Sequence, residues 1–146
     1  MTVPCLSAGS EALRIVCVSD THGFEGALGS LPDGDVLVHC GDFWRDGSHA
    51  DALAAFSRFD QWLASQPQAV KLVLRGNHDP KVLPHPCFPV SGATYWADGA
   101  RPALFDVRGV RFAFAPYPSR GLGRHALPAC DGLVSHIPPK GGRDRC

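Results

Sequence analysis

The sequence predicts an α/β domain built on a parallel sheet, and three observations carry that expectation. Short apolar runs at 13–19 (LRIVCVS), 35–40 (DVLVHC) and 69–74 (AVKLVL) each give way at once to polar, Gly-containing sequence, as buried strands ending at one sheet edge do. Between the second and third runs, segment 48–66 repeats Ala52, Phe56, Phe59 and Leu63 at steps of four, three and four, which is one apolar stripe of a helix. A strand, helix, strand succession of this spacing makes a right-handed parallel crossover the natural topology.

The first run is nearly continuous in apolar residues, the pattern of a strand covered on both faces. Ser48 with Asp51 three residues on gives the helix an N-cap signal, and Pro67 cannot continue it. Residues 79–91 contain Pro80, Pro84, Pro86 and Pro89 and read as a surface loop. Shorter strands are expected at 94–96, 103–107 and 110–115, with Arg108-Gly109 a hairpin turn, and a last brief strand at 132–135 ends at His136. No internal repeat, low-complexity tract or linker interrupts the pattern, so residues 1–146 are expected to form one domain.

Composition narrows the function classes. A chain with 45% hydrophobic and 19% charged residues is ordinary globular sequence. Its 14 basic and 14 acidic residues cancel, so nothing advertises a long nucleic acid, whereas a small anionic substrate stays compatible. The six cysteines, Cys5, Cys17, Cys40, Cys87, Cys130 and Cys146, form no C-x-x-C pair, which argues against a zinc knuckle or a thioredoxin-like site. The first dozen residues lack a basic segment followed by an apolar one, and no stretch approaches the ~20 apolar residues of a spanning helix. A cytoplasmic protein with reduced thiols and no membrane partner is the expectation.

The polar residues at the strand ends carry the chemistry. Asp20 and His22 form D-x-H after the first run, although that tripeptide alone equally describes a turn with an Asp capping local backbone. Gly41-Asp42 puts a second carboxylate after the second run. After the third, Gly76-Asn77-His78-Asp79 gathers an amide oxygen, an imidazole and a carboxylate where a simple turn needs none of them. His136 ends the last strand; alone it would read as a structural hydrogen-bonder. Hard oxygen donors combined with imidazole suit Mn, Fe, Zn or Mg, and a carboxylate such as Asp42 can bridge two cations about 3.5–4 Å apart.

In this order the motifs resemble those of the calcineurin-like metallophosphoesterase superfamily. HCGDFWRDG, RGNHD and SHIPPKGGRD are similar to the small metallophosphoesterase-domain phosphodiesterases of the brain-expressed type and their plant and microbial relatives, over residues 14–144. The resemblance implies layered β sheets flanked by helices and two divalent metal ions. It implies Asp20 and His22 on the first metal, Asp42 bridging, and Asn77 and His136 on the second. It implies His78 as general acid or transition-state stabiliser and Asp79 as the residue that fixes its loop. The substrate it implies is a small phosphate ester, with cyclic-nucleotide-like phosphodiesters favoured.

The family's closing Gly-His-x-His motif does not occur in the sequence. A C-terminally shortened domain is therefore expected, with three protein ligands per ion, weakened metal binding and an exposed sheet edge. A catalytically impaired domain with a binding or regulatory role is the second reading, and a protein phosphatase the third. His39 is expected to serve local packing; His85 and His125, in loops, are not singled out by spacing as substitute ligands. Phe43 and Trp44 are expected in core or rim packing, and Arg120, Arg124, Lys140 and Arg143 on solvated surface.

Overall fold

The computed structural model describes residues 12–80, 95–97, 103–117 and 128–138. Strands β1 (Ile15–Val18), β2 (Val36–His39), β3 (Val70–Leu74) and β4 (Tyr95–Ala97) form a wholly parallel sheet in the order β1-β2-β3-β4. Helix α1 (His49–Ser65) crosses from β2 to β3. A second sheet joins β5 (Ala103–Val107) antiparallel to β6 (Val110–Ala115), and β6 parallel to β7 (Gly132–Ser135).

Side-chain alternation along the strands creates three layers. Val36 and Val38 of β2 and Leu72 and Leu74 of β3 face the second sheet and pack with Val107, Phe112 and Phe114. The intervening Leu37 and Val73 face α1 and pack with Phe56, Phe59 and Leu63, as well as Phe43 from the loop after β2. The anticipated helical stripe is thus the buried face of α1, and Phe43 is core. At its start the Ser48 hydroxyl accepts from the Asp51 N–H at 3.3 Å, and the Asp51 carboxylate accepts from the Ser48 N–H at 3.0 Å, a reciprocal capping box. Arg108 and Gly109 form the turn between β5 and β6 with φ of 51° and 82°, the left-handed pair of a two-residue hairpin.

The expectation of a doubly covered first strand is overturned for β1. Val16 and Val18 pack toward α1, but Ile15 is 40% exposed and Cys17 is exposed on the other face. The cause is position: among the described residues β1 is the edge strand of its sheet, beyond the cover that β5, β6 and β7 give β2 and β3. The short 3₁₀ helix Glu25–Leu28 was not anticipated, having too few residues to show a period. Beyond Pro80, the proline-rich loop lies outside the described residues, as do His85, His125, Arg120, Arg124, Lys140 and Arg143. Among the described residues no helix is long and apolar enough to cross a membrane.

Strand register positions the functional edge. Val18 pairs with His39 and His39 with Val73, so the segments carrying Asp20, Asp42 and Asn77 leave the sheet side by side. In the second sheet Ala115 pairs with Ser135, and the chain then turns His136 back onto the β2 end.

Candidate metal centre

Asp20, His22 and Asp42 present ligand atoms that all lie within 4.8 Å of one another. All three have positive φ, 56°, 49° and 59°, and only Arg108 joins them among described non-glycine residues. Left-handed backbone costs a non-glycine residue roughly 1–2 kcal/mol, so the surrounding structure must hold these loops in place. Backbone bonds do so: the Asp20 N–H donates to the Gly41 carbonyl at 2.9 Å and the His22 N–H to the Asp42 carbonyl at 3.0 Å. The Ser19 hydroxyl donates to the Asp20 carboxylate. His22 Nδ1 lies 3.2 Å from the Trp44 carbonyl; as the donor there it leaves Nε2 as the lone-pair atom.

His136 completes a second donor group. Its Nδ1 donates to the Cys40 carbonyl at 2.9 Å, so in the neutral ring Nε2 carries the lone pair. That nitrogen faces Asn77 Oδ1 at 2.8 Å and Asp42 Oδ2 at 3.4 Å. With the ring neutral and Nδ1 as the donor, three electron-pair donors converge there, an arrangement that a cation relieves. Asp42 belongs to both groups, since its carboxylate is also in the Asp20–His22 cluster. The residues present therefore fit hard divalent cations. Burial, followed by the neighbouring Cys17 and Asp20, pushes the adjacent Cys40 thiol up to about 12, so it offers no thiolate.

Asp79 ties the β2 and β3 loops together from below. It is buried and accepts three backbone N–H bonds, from Asp42 and Gly76 on Oδ2 at 2.8 Å each and from Trp44 on Oδ1 at 3.1 Å. Burial pushes its carboxyl up to about 6 against the opposing pull of those N–H groups. The two loops approach so closely that a Cβ on Gly76 would meet Asp42 Oδ1 at 2.1 Å, and one on Gly41 would meet Gly76 Cα at 2.7 Å. Glycine is required at both positions for contact, not merely for turning.

His78 stands at the rim, its backbone N–H donating to Asp42 Oδ1 at 2.9 Å and its ring edge-on to His22 at 5.3 Å. Its Nδ1 is paired with Asp46 Oδ2 at 3.1 Å. Sequence reasoning missed Asp46; the available signal was a carboxylate four residues beyond Asp42 on the same loop. The structure thus brings Asp20, His22, Asp42, Asn77, His78, Asp79 and His136 to one edge, with Asp79 beneath the others.

Two packed sheets with carboxylates and imidazoles collected at their strand ends define a metallophosphoesterase-type domain. The calcineurin-like phosphoesterase family model matches residues 13–142, and the chain belongs to that family. Its relatives include human metallophosphoesterase domain-containing protein 1, 42% identical over 45% of this chain and 19% of that protein. A probable rhamnogalacturonate lyase C of Emericella nidulans is 42% identical over 46% of this chain and 6% of that protein. The UPF0046 protein K07C11.7 of Caenorhabditis elegans is 38% identical over 49% of this chain and 23% of that protein. The matched segment is thus under a quarter of each of these relatives' length.

Proposed function

We propose that this chain hydrolyses small phosphate esters, phosphodiesters of the cyclic-nucleotide type foremost, at a centre made by Asp20, His22, Asp42, Asn77 and His136. The observation that carries the reading is the Asp42 carboxylate shared between two donor groups, Asp20–His22 on one side and Asn77–His136 on the other. Bound there, two divalent cations would neutralise phosphate charge and lower the pKa of a shared water.

The remaining roles belong to the chain itself. Asp20, His22 and Asp42 would hold one cation, and Asp42, Asn77 and His136 the other. Water attacks phosphorus and gives up a proton to solvent as the ester P–O bond breaks, and the departing oxygen takes a proton from His78. With Nδ1 engaged by Asp46, the donating atom is Nε2. Asp79 keeps Asp42 and the Gly76–His78 segment in register beneath the reacting atoms.

Hydrolysis of bis(p-nitrophenyl) phosphate with added manganese tests the reading. Turnover is expected to rise with manganese and to fall at least about 100-fold in Asp42→Asn and His78→Ala. Turnover no higher than in those variants would overturn it. Faster cleavage of a cyclic nucleotide than of a phosphopeptide is the expected substrate order; the reverse would favour a protein phosphatase.

A further inference from the structure

We infer that His39 and Thr21 form a buried positioning pair that sets the spacing between the Asp20–His22 loop and the Gly41–Asp42 loop. His39 lies at the end of β2 with its side chain on the α1 side of the sheet, fully buried, its ring edge-on to Phe59 at 4.8 Å and to Trp62 at 6.3 Å. Packing alone would be served by an apolar residue at lower desolvation cost. This ring instead spends both nitrogens on the two loops. Nδ1 accepts the Gly41 N–H at 3.3 Å, and Nε2 lies 3.1 Å from the Thr21 hydroxyl.

The hydrogen positions follow from the partners. A backbone N–H can only donate, so Nδ1 carries the lone pair, and Nε2–H of the neutral ring donates to Thr21 Oγ1. Burial holds the ring well below the usual imidazole range, at about 3, which agrees with the neutral form. Thr21 is itself buried and stands between Asp20 and His22, while Gly41 immediately precedes Asp42. One side chain thus spans the two segments whose left-handed backbone aims three carboxylate and imidazole donors at a common point. His39 touches none of those donors through its recorded hydrogen bonds, and it acts through the loops that carry them.

The pair adds a further tie to the two backbone bonds between the loops. The Asp20 N–H to Gly41 and His22 N–H to Asp42 bonds flank Thr21, and a peptide segment pinned only at its ends can still rotate between them. The Thr21 hydroxyl supplies the middle point, from inside the core where water does not compete.

Thr21→Val removes the hydroxyl at nearly constant volume, and Thr21→Ser keeps it. The first readout is amide hydrogen exchange of Asp20 and His22 in the metal-free full chain, with α1 and β3 amides as the measure of global stability. Exchange at the two loop amides is expected to rise about tenfold or more in Thr21→Val, with the α1 and β3 amides unmoved, and to stay within about threefold in Thr21→Ser. The second readout rests on the function proposed above: manganese affinity by calorimetry is expected to fall about tenfold or more in Thr21→Val and to be retained in Thr21→Ser.

Unchanged loop exchange in Thr21→Val would overturn the inference, as would equal losses in the two variants. Faster loop exchange with unchanged manganese affinity would overturn the positioning role. If the wild-type chain binds no manganese, the metal reading fails, and amide exchange alone decides whether the pair holds the loops.

Discussion

Replacing Gly76 by alanine should disable the centre while leaving every proposed ligand in the chain. The new Cβ would sit 2.1 Å from Asp42 Oδ1, 2.5 Å from Asp42 N and 2.8 Å from Asp42 Cγ. Since Cβ contacts under 3.0 Å are essentially never seen, the loops must separate by close to the 0.9 Å difference. No flexible side-chain tip is available to yield, because the obstacles are backbone and a buried carboxylate. That movement strains the His78 N–H bond to Asp42 Oδ1 and the Gly76 N–H bond to Asp79, both under 3 Å at rest. Overpacking of this kind costs roughly 1–3 kcal/mol, and a buried hydrogen bond left unmade costs roughly another 1–3. A misplacement near 1 Å also costs about 100-fold in rate where geometry governs the chemistry. Urea unfolding and manganese-dependent turnover of Gly76→Ala should therefore both fall. A variant within about 0.5 kcal/mol of wild type that turned over normally would refute the reasoning, because surface changes away from packed features have effects that small.

Asp79→Asn puts an NH₂ group where one of three backbone N–H donors now finds an acceptor, and should lower unfolding free energy by about 1–3 kcal/mol. The same variant exposes a pH effect that two buried groups oppose in wild type. His39, held at about 3, stays neutral when folded but charges when unfolded, so its contribution is complete above about pH 6.5 and is lost as pH falls. Asp79, raised to about 6, works in the opposite sense: its contribution is complete below the unfolded carboxylate range and is lost as pH rises through 6. Between about pH 4 and 6 each slope approaches 1.4 kcal/mol per pH unit with opposite sign, so removing Asp79 should steepen the acid-side loss seen in denaturant titrations. Ser48→Ala removes the hydroxyl half of the α1 capping box and should cost about 1 kcal/mol in the same assay, without altering manganese affinity.

Much of the scaffold could be read from the chain because its signals are local. The Ala52, Phe56, Phe59, Leu63 stripe and the Ser48–Asp51 box fix α1 by period and cap, and Arg108-Gly109 fixes its hairpin by turn chemistry. The strand runs named the sheet but not its order, so the exposure of Ile15 on β1 could not be foreseen: being an edge strand is a property of the assembled sheet. At the site, the D-x-H, Gly-Asp and Gly-Asn-His-Asp strings pointed to residues that converge, because each follows a strand ending at the same edge. What stayed hidden depends on contacts distant in sequence. The Trp44 carbonyl at His22 is backbone and leaves no residue signature. The Gly41–Gly76 approach needs two loops to be superposed, and His39 looked like packing because its partners, Thr21 and the Gly41 N–H, become partners only once β1 and β2 are paired.

Calorimetric titration of the metal-free chain with manganese, in wild type and Asp42→Asn, tests the central claim most directly. Asp42 stands in both donor groups, so the account predicts two bound equivalents in wild type and loss of affinity at both sites, by at least about 100-fold, when that carboxylate becomes an amide. Binding that Asp42→Asn leaves intact, or no binding in wild type, would contradict it.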